Sequence, residues 1–257
     1  MNFKLFNSFV FVFIAIVAWV SLISGCVAQS ASTRVSGQQG SGAKHGSGAK
    51  QPLAAEQAEA VNPLMDPALA TKQTPETPDK FRVKFITTKG NFVVEVTRAW
   101  APKAADRFYV MCRNGYFKDI AIFRSIKDFM FQFGIHGDPA VSAKWMDANI
   151  EDDQFVGISN TRGTLSFAQT QRPNSRSVQM FVNLGNNDFL DKARGGSAAF
   201  VPFARIVQGI NVIGKVHVTG ENEPDVQGNF KQGGNKYIKT KYPQVDYIRS
   251  VEVSIVN

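Results

Sequence analysis

The segment Ile122 to Gly134 reads Ile-Phe-Arg-Ser-Ile-Lys-Asp-Phe-Met-Phe-Gln-Phe-Gly and gathers a guanidinium (Arg124), large apolar side chains (Phe129, Met130) and an amide (Gln132). Side chains alternate between faces along an extended chain, so Met130 and Gln132 share one face. The same mixture of aromatic, aliphatic and uncharged amide groups recurs at Leu165-Ser-Phe-Ala-Gln169, Gln179-Met-Phe-Val182 and Phe189-Leu-Asp191. A cation, large apolar side chains and an amide thus converge on one short segment. It does not suit metal, phosphate or nucleophilic chemistry. His45, His136 and His217 are scattered without metal-ligand spacing, Gly228 to Gly234 lacks the Lys-Ser or Lys-Thr that ends a phosphate loop, and Ser166 and Ser177 have no evident base.

Taken together and in this order, these runs resemble the cyclophilin family of peptidyl-prolyl cis-trans isomerases, over roughly residues 81 to 256. The resemblance implies an eight-stranded antiparallel β-barrel capped by two α-helices. It makes Arg124 the catalytic cation and Gln132 the amide that orients it and contacts substrate. Phe129, Met130, Phe181 and Leu190 match the pocket for the proline ring, and Ala168, Gln169 and Gln179 the neighbouring groove for the peptide backbone. Three positions depart from the family's habit. Phe123 stands where many members have histidine, Phe200 where another pocket histidine is usual, and Phe189 in place of a tryptophan linked to cyclosporin binding. Activity is expected to survive these changes, while drug sensitivity and sequence preference are in question.

The implied reaction explains the residue types. Amide resonance sets a barrier of about 18–20 kcal/mol to rotation about the peptide bond, and spontaneous X-Pro exchange takes tens to hundreds of seconds or so. A catalyst needs an apolar grip on the proline ring and a donor for the prolyl nitrogen as resonance is lost. Neither metal nor cofactor is required. Proline-containing polypeptides are the expected partners. A non-catalytic prolyl-peptide binding module is the alternative, motivated by the loss of both histidines and the tryptophan.

Several elements must position these residues. Phe81 to Thr87 and Asn91 to Thr97 flank a Lys89-Gly90 turn and predict a β-hairpin. Pro102 opens a helix that Gly115 closes, with Ala105, Phe108 and Met111 or Cys112 inward and Lys103, Asp106, Arg107 and Arg113 toward solvent. Cys112 reads as a buried, inert thiol. Gly137 to Arg162 is polar and irregular, and its acidic cluster Glu151, Asp152, Asp153 reads as a solvated loop rather than a cation site. Short strands follow at Thr164 to Gln169, Gln179 to Leu184, Phe200 to Val207 and Tyr247 to Val256, with a second helix at Ile210 to Val216.

The front of the chain differs in kind. Lys4 is followed by no charge until Arg34, and Phe9 to Val20 is continuously apolar, which reads as an export signal over residues 1–28. Ile23-Ser24-Gly25-Cys26 resembles a bacterial lipobox, so lipidation at Cys26 is expected; an ordinary cleaved signal and an uncleaved membrane helix are the competing readings. Residues 29–78, rich in Gly, Ser, Ala, Gln and Pro and repeating Gly-Ser-Gly-Ala-Lys at 40–44 and 46–50, read as a disordered linker. Residues 79–257 then form the catalytic domain, expected to be monomeric and held on the periplasmic side of the cell envelope. Residues 79–257 carry 24 Lys and Arg against 17 Asp and Glu, a net charge of +7 spread along the domain, which does not suit nucleic acid.

Overall fold

The computed structural model describes residues 62–193, 196, 198–220 and 225–256. Two prolines start it. Pro63 begins a 3-10 turn (Pro63–Met65) and Pro67 begins helix α1 (Pro67–Gln73), each in a first turn, where a missing N–H leaves nothing unpaired. The Asp66 carboxylate caps α1 by accepting from the Ala68 and Leu69 amides. Ala70 is fully buried, the Trp145 indole donates to the Leu64 carbonyl at 2.9 Å, and Asn114 Nδ2 donates to Thr74 Oγ1 at 2.8 Å. The expected linker therefore does not extend to residue 78. A few small apolar residues, one bond to backbone and one to a side-chain hydroxyl dock 62–78 on the domain, which a composition poor in aromatics does not reveal. The signal segment, Cys26 and the Gly-Ser repeats lie outside the described residues.

The expected hairpin forms β1 (Lys80–Thr87) and β2 (Gly90–Thr97), paired from Lys80↔Thr97 to Thr87↔Gly90. Alternation buries Phe81, Val83 and Phe85 opposite Val96, Val94 and Phe92. Helix α2 (Pro102–Arg113) lays Ala104, Ala105, Phe108, Met111 and Cys112 on that face. The Phe108 ring lies 6.2 Å from Phe85 and 5.1 Å from Phe203, so a phenylalanine cluster forms the centre of the core. Arg107 departs from expectation: it folds over the Trp145 ring at 5.6 Å, largely buried.

The remaining elements are β3 (Ile120–Ala121), β4 (Arg124–Ile126), β5 (Met130–Phe133), α3 (Pro139–Met146), β6 (Thr164–Phe167), β7 (Met180–Asn183), β8 (Pro202–Gln208), α4 (Ile210–Ile213), α5 (Lys231–Lys241) and β9 (Tyr247–Ile255). A 3-10 turn, Asp188–Asp191, follows β7, and a π turn, Val226–Phe230, leads into α5. The strands form one antiparallel nine-stranded sheet in the order β3-β9-β1-β2-β8-β6-β7-β5-β4. Its end strands, β3 and β4, are separated in the chain by only Ile122 and Phe123. The sheet thus curls until its ends lie a dipeptide apart without pairing, which makes it a half-barrel in hydrogen-bonding terms. The strand count exceeds the expected eight, because that dipeptide breaks one run into β3 and β4. The expected second helix is the short α4, while α1, α3 and α5 add to the two helices foreseen.

Candidate active site

The sheet register builds the site. Across β4 and β5, Arg124 pairs with Gln132 and Ile126 with Met130; across β5 and β7, Gln132 pairs with Phe181 and Met130 with Asn183; across β6 and β7, Ser166 pairs with Phe181. Directly paired residues point to the same face, so Arg124, Gln132, Phe181 and Ser166 form one row across the sheet, with Ile126, Met130 and Asn183 in the next. The β4–β5 turn is tight, with Asp128 at φ 61°. Where β5 ends, Gly134 adopts φ 115°, and a Cβ there would lie 2.1 Å from the Val178 carbonyl oxygen.

A chain of side-chain bonds runs along the row. Arg124 Nη1 donates to Gln132 Oε1 at 3.3 Å, and Gln132 Nε2 donates to Gln179 Oε1 at 2.8 Å. The Gln179 carbonyl accepts the Ala168 amide at 2.8 Å, and Gln169 Nε2 reaches the Ala198 carbonyl at 2.5 Å. Beside this polar line is an apolar cluster separate from the main core: Met130, Phe181 and Leu190, with Ile126, Phe129, Ala168, Phe189 and Phe200 against them. Phe129 stacks on Phe189 with ring centroids 5.9 Å apart, and Phe200 meets Phe181 edge-on at 5.7 Å. The structure thus brings together all the residues singled out for catalysis and substrate binding. Phe123 faces the other way, 1% exposed, in a different cluster with Phe230 and Ile238.

Three features escaped the sequence. Ile126 belongs to the apolar cluster; alternation two residues beyond Arg124 could have found it. A buried amide network supports the pocket from behind. Asn160 Nδ2 donates to Asp191 Oδ1 and the Phe200 carbonyl, and its Oδ1 accepts from Ser166 and Asn183. Asn187 Nδ2 donates to the Phe129 carbonyl and to Asn183 Oδ1, so Phe129, Leu190 and Phe200 all hang on one network. Third, the acidic cluster is not simply a solvated loop. Asp153 is buried, caps α2 by accepting from the Lys103 and Ala104 amides at 2.8 and 3.0 Å, and pairs with Arg176 at 2.9 Å. Only Glu151 of the three is fully exposed, and it pairs with Lys103.

Two titratable groups away from this row lie in the main core. Burial pushes the Cys112 thiol well above the usual range, which keeps it protonated and unreactive. Burial also raises the Tyr116 phenol, whose hydroxyl donates to the Gly134 carbonyl at 2.9 Å.

Against known sequences, residues 82–234 match the family described as cyclophilin type peptidyl-prolyl cis-trans isomerase/CLD. The chain belongs to that family. It is 34% identical over 137 residues to peptidyl-prolyl cis-trans isomerase B of Escherichia coli, spanning 52% of this chain and 82% of the relative. It is 31% identical to a peptidyl-prolyl cis-trans isomerase of Acinetobacter baylyi, across 52% of this chain and 70% of that one. In fold it resembles a cyclophilin type isomerase of Cryptosporidium parvum, with a TM-score of 0.52 and 19% identity over 69% of this chain and 99% of that one. Cyclophilin-type isomerisation of X-Pro bonds is accordingly the activity of this domain.

Proposed function

We propose that Arg124 supplies the donor that stabilises the prolyl nitrogen as amide resonance is lost, while Met130, Phe181 and Leu190, walled by Phe129, Phe189 and Phe200, hold the proline ring. The observation that carries this reading is the sheet register, which sets a guanidinium and its amide partner beside a separate apolar cluster. Arginine suits the task because its fork of donors is planar and its charge persists at any ordinary pH. Gln132, placed between Arg124 and Gln179, orients the guanidinium, and Ala168, Gln169 and Gln179 line the run of peptide leading to the proline. The substrates are proline-containing polypeptides.

The decisive experiment is isomerisation of a short Ala-Pro peptide followed by NMR exchange, with the full chain and with Arg124→Ala. Loss of one transition-state donor costs about 10²–10³-fold in kcat, and the substituted protein should still bind the peptide. Turnover that survives Arg124→Ala would refute the assignment, and binding without turnover in the unsubstituted protein would favour a prolyl-peptide binding module.

We further propose that the clients are exported proteins and that the domain works in the bacterial cell envelope, anchored through Cys26. Support comes from the basic start, the apolar run Phe9 to Val20 and the Ile-Ser-Gly-Cys sequence. Palmitate incorporation that persists in Cys26→Ser would refute lipid attachment at that residue.

A further inference from the structure

The residues on both sides of Arg124 are held by two described stretches near the end of the chain, 216–220 and 225–248. On its N-terminal side, Ile120 pairs with Ile248 and Ala121 with Tyr247, and the Ile122 amide donates to the Asp246 carbonyl at 2.8 Å. Phe123, next to Arg124, lies edge-on to Phe230 at 6.0 Å, both rings fully buried, among Ile135, Ile238, Val245 and Tyr247. On its C-terminal side, Ser125 is bound through both backbone groups. Its amide donates to Thr219 Oγ1 at 2.8 Å, and its carbonyl accepts the Thr219 and Gly220 amides at 3.0 and 3.1 Å. The Asp246 carboxylate joins the two holds. It accepts the His217 amide at 2.7 Å and the Thr88 hydroxyl at 2.6 Å, and is itself 5% exposed.

This matters because β4 is an end strand of the sheet and only three residues long. Its inner edge pairs with β5; its outer edge would otherwise present the Ser125 amide and carbonyl without a ladder. An end strand of that length is a mobile support for a charged side chain that must keep its aim. The contacts described fix the backbone on either side of Arg124 and leave its side chain on the groove face. They also account for Phe123: an aromatic ring at that position is the surface on which the π turn before α5 seats Phe230.

We infer that residues 216–220 and 225–248 form a clamp that sets the direction of the Arg124 guanidinium, with Thr219 and Phe230 as positioning residues for the isomerisation. The inference rests on the reading of Arg124 as the catalytic cation. It distinguishes positioning from general stability, because the side chains packed on Phe123 form a cluster separate from the proline pocket. Loosening the clamp should lower kcat and leave peptide affinity in place.

The test compares Thr219→Val, which keeps shape but loses the hydroxyl acceptor, Phe230→Ala, and the milder Thr219→Ser and Phe230→Leu. Val83→Ala, in β1 and away from the site, serves as a control for lost stability, and Arg124→Ala is measured alongside. Isomerisation of an Ala-Pro peptide gives kcat and KM, and the Arg124 Nε–H resonance reports side-chain order. A lost bond of about 1.4 kcal/mol corresponds to a tenfold change. The expected result is a fall in kcat of roughly that size in Thr219→Val and Phe230→Ala, KM within about twofold, a broadened or shifted Nε–H signal, and recovery in the milder variants. Wild-type kcat in a folded Thr219→Val would overturn the clamp, whatever the fate of Phe230→Ala, as would an equal loss of kcat in Val83→Ala. Retained turnover in Arg124→Ala would overturn the catalytic assignment first and the clamp with it. A collapse there with full activity in Thr219→Val would overturn the clamp alone.

Discussion

Breaking the Arg176–Asp153 pair should show whether the segment leading into Gln179 depends on a buried charge. Both side chains are almost completely enclosed, at 3% and 2% exposure, with the guanidinium 2.9 Å from the carboxylate. At that distance, with an effective dielectric of about 20, the gross attraction is about 6 kcal/mol, which desolvation largely offsets. Removing one partner leaves the other charge buried, and that costs about 3–5 kcal/mol. Asp153 also caps α2 through two amides, so Asp153→Ala should lose about 1 kcal/mol more. Arg176→Met should lie at the low end of the range, because those amides still compensate the carboxylate. In the double substitution the enclosed pair is gone and only the part-exposed Asp152, 3.5 Å from Arg176, loses a cation, so the total should fall short of the sum of the singles by about 2 kcal/mol or more. Urea unfolding of the four proteins gives the cycle directly. Additivity within about 0.5 kcal/mol, or an Arg176→Met cost below about 1 kcal/mol, would refute the reasoning. The pair has a further consequence, since Arg176 lies three residues before Gln179 and its backbone bridges Ile150. The Thr170 to Ser177 segment should therefore loosen in both single variants.

Other outcomes follow from single positions. Leu190→Ala removes one of the buried members of the apolar cluster and should raise KM for an Ala-Pro peptide about tenfold, an affinity loss of about 1.4 kcal/mol, measurable by steady-state NMR exchange. Gly134→Ala would place a methyl against the Val178 carbonyl at a φ of 115°; loss of about 3 kcal/mol or of soluble protein is expected. Gly214→Ala, at φ −76° with open space around it, should melt close to the wild type. His136 is kept below its ordinary value of 6.5, chiefly by burial, partly offset by Asp138. Its Nδ1 accepts the Asp138 amide at 3.0 Å, which requires the neutral ring. A folded-state value below the unfolded one means that its contribution is complete above about pH 6.5 and is lost as pH falls through the folded-state value. His136→Phe should flatten that part of a melting-temperature profile between pH 7 and 5. An unchanged profile would show that His136 is not its source.

Much of the fold was legible because burial follows the chain's own period. The β1–β2 hairpin and α2 need only alternating or helical spacing to declare their inward faces, and Arg124, Met130, Gln132 and Phe181 lie in β4, β5 and β7, which are neighbours in the sheet. Period carries no information about partners distant in sequence, and that is where reading stopped. Asp153 and Arg176 are neutralised by each other from different loops. Asn160 has no meaning until Asp191 and the Phe200 carbonyl reach it. Helix α1 is held by a single alanine face and by Trp145 and Asn114, so its composition looked like that of a linker.

Phe123 shows the same limit from the opposite side. As a letter it is a departure from the family's histidine and raises doubt about the site; as a side chain it belongs to a different face from Arg124. Alternation already required this, since neighbours on an extended chain point apart. What alternation could not say was what covers that other face. The π turn and α5 do, through Phe230 and Ile238, and β9 supplies Tyr247. A histidine at this position would bury a titratable ring among largely apolar side chains, and a ring nitrogen left unpaired there would cost about 1–3 kcal/mol. The aromatic substitution and the helical segment that packs on it are therefore one structural choice, and the charge and the apolar pocket on the groove side are untouched by it.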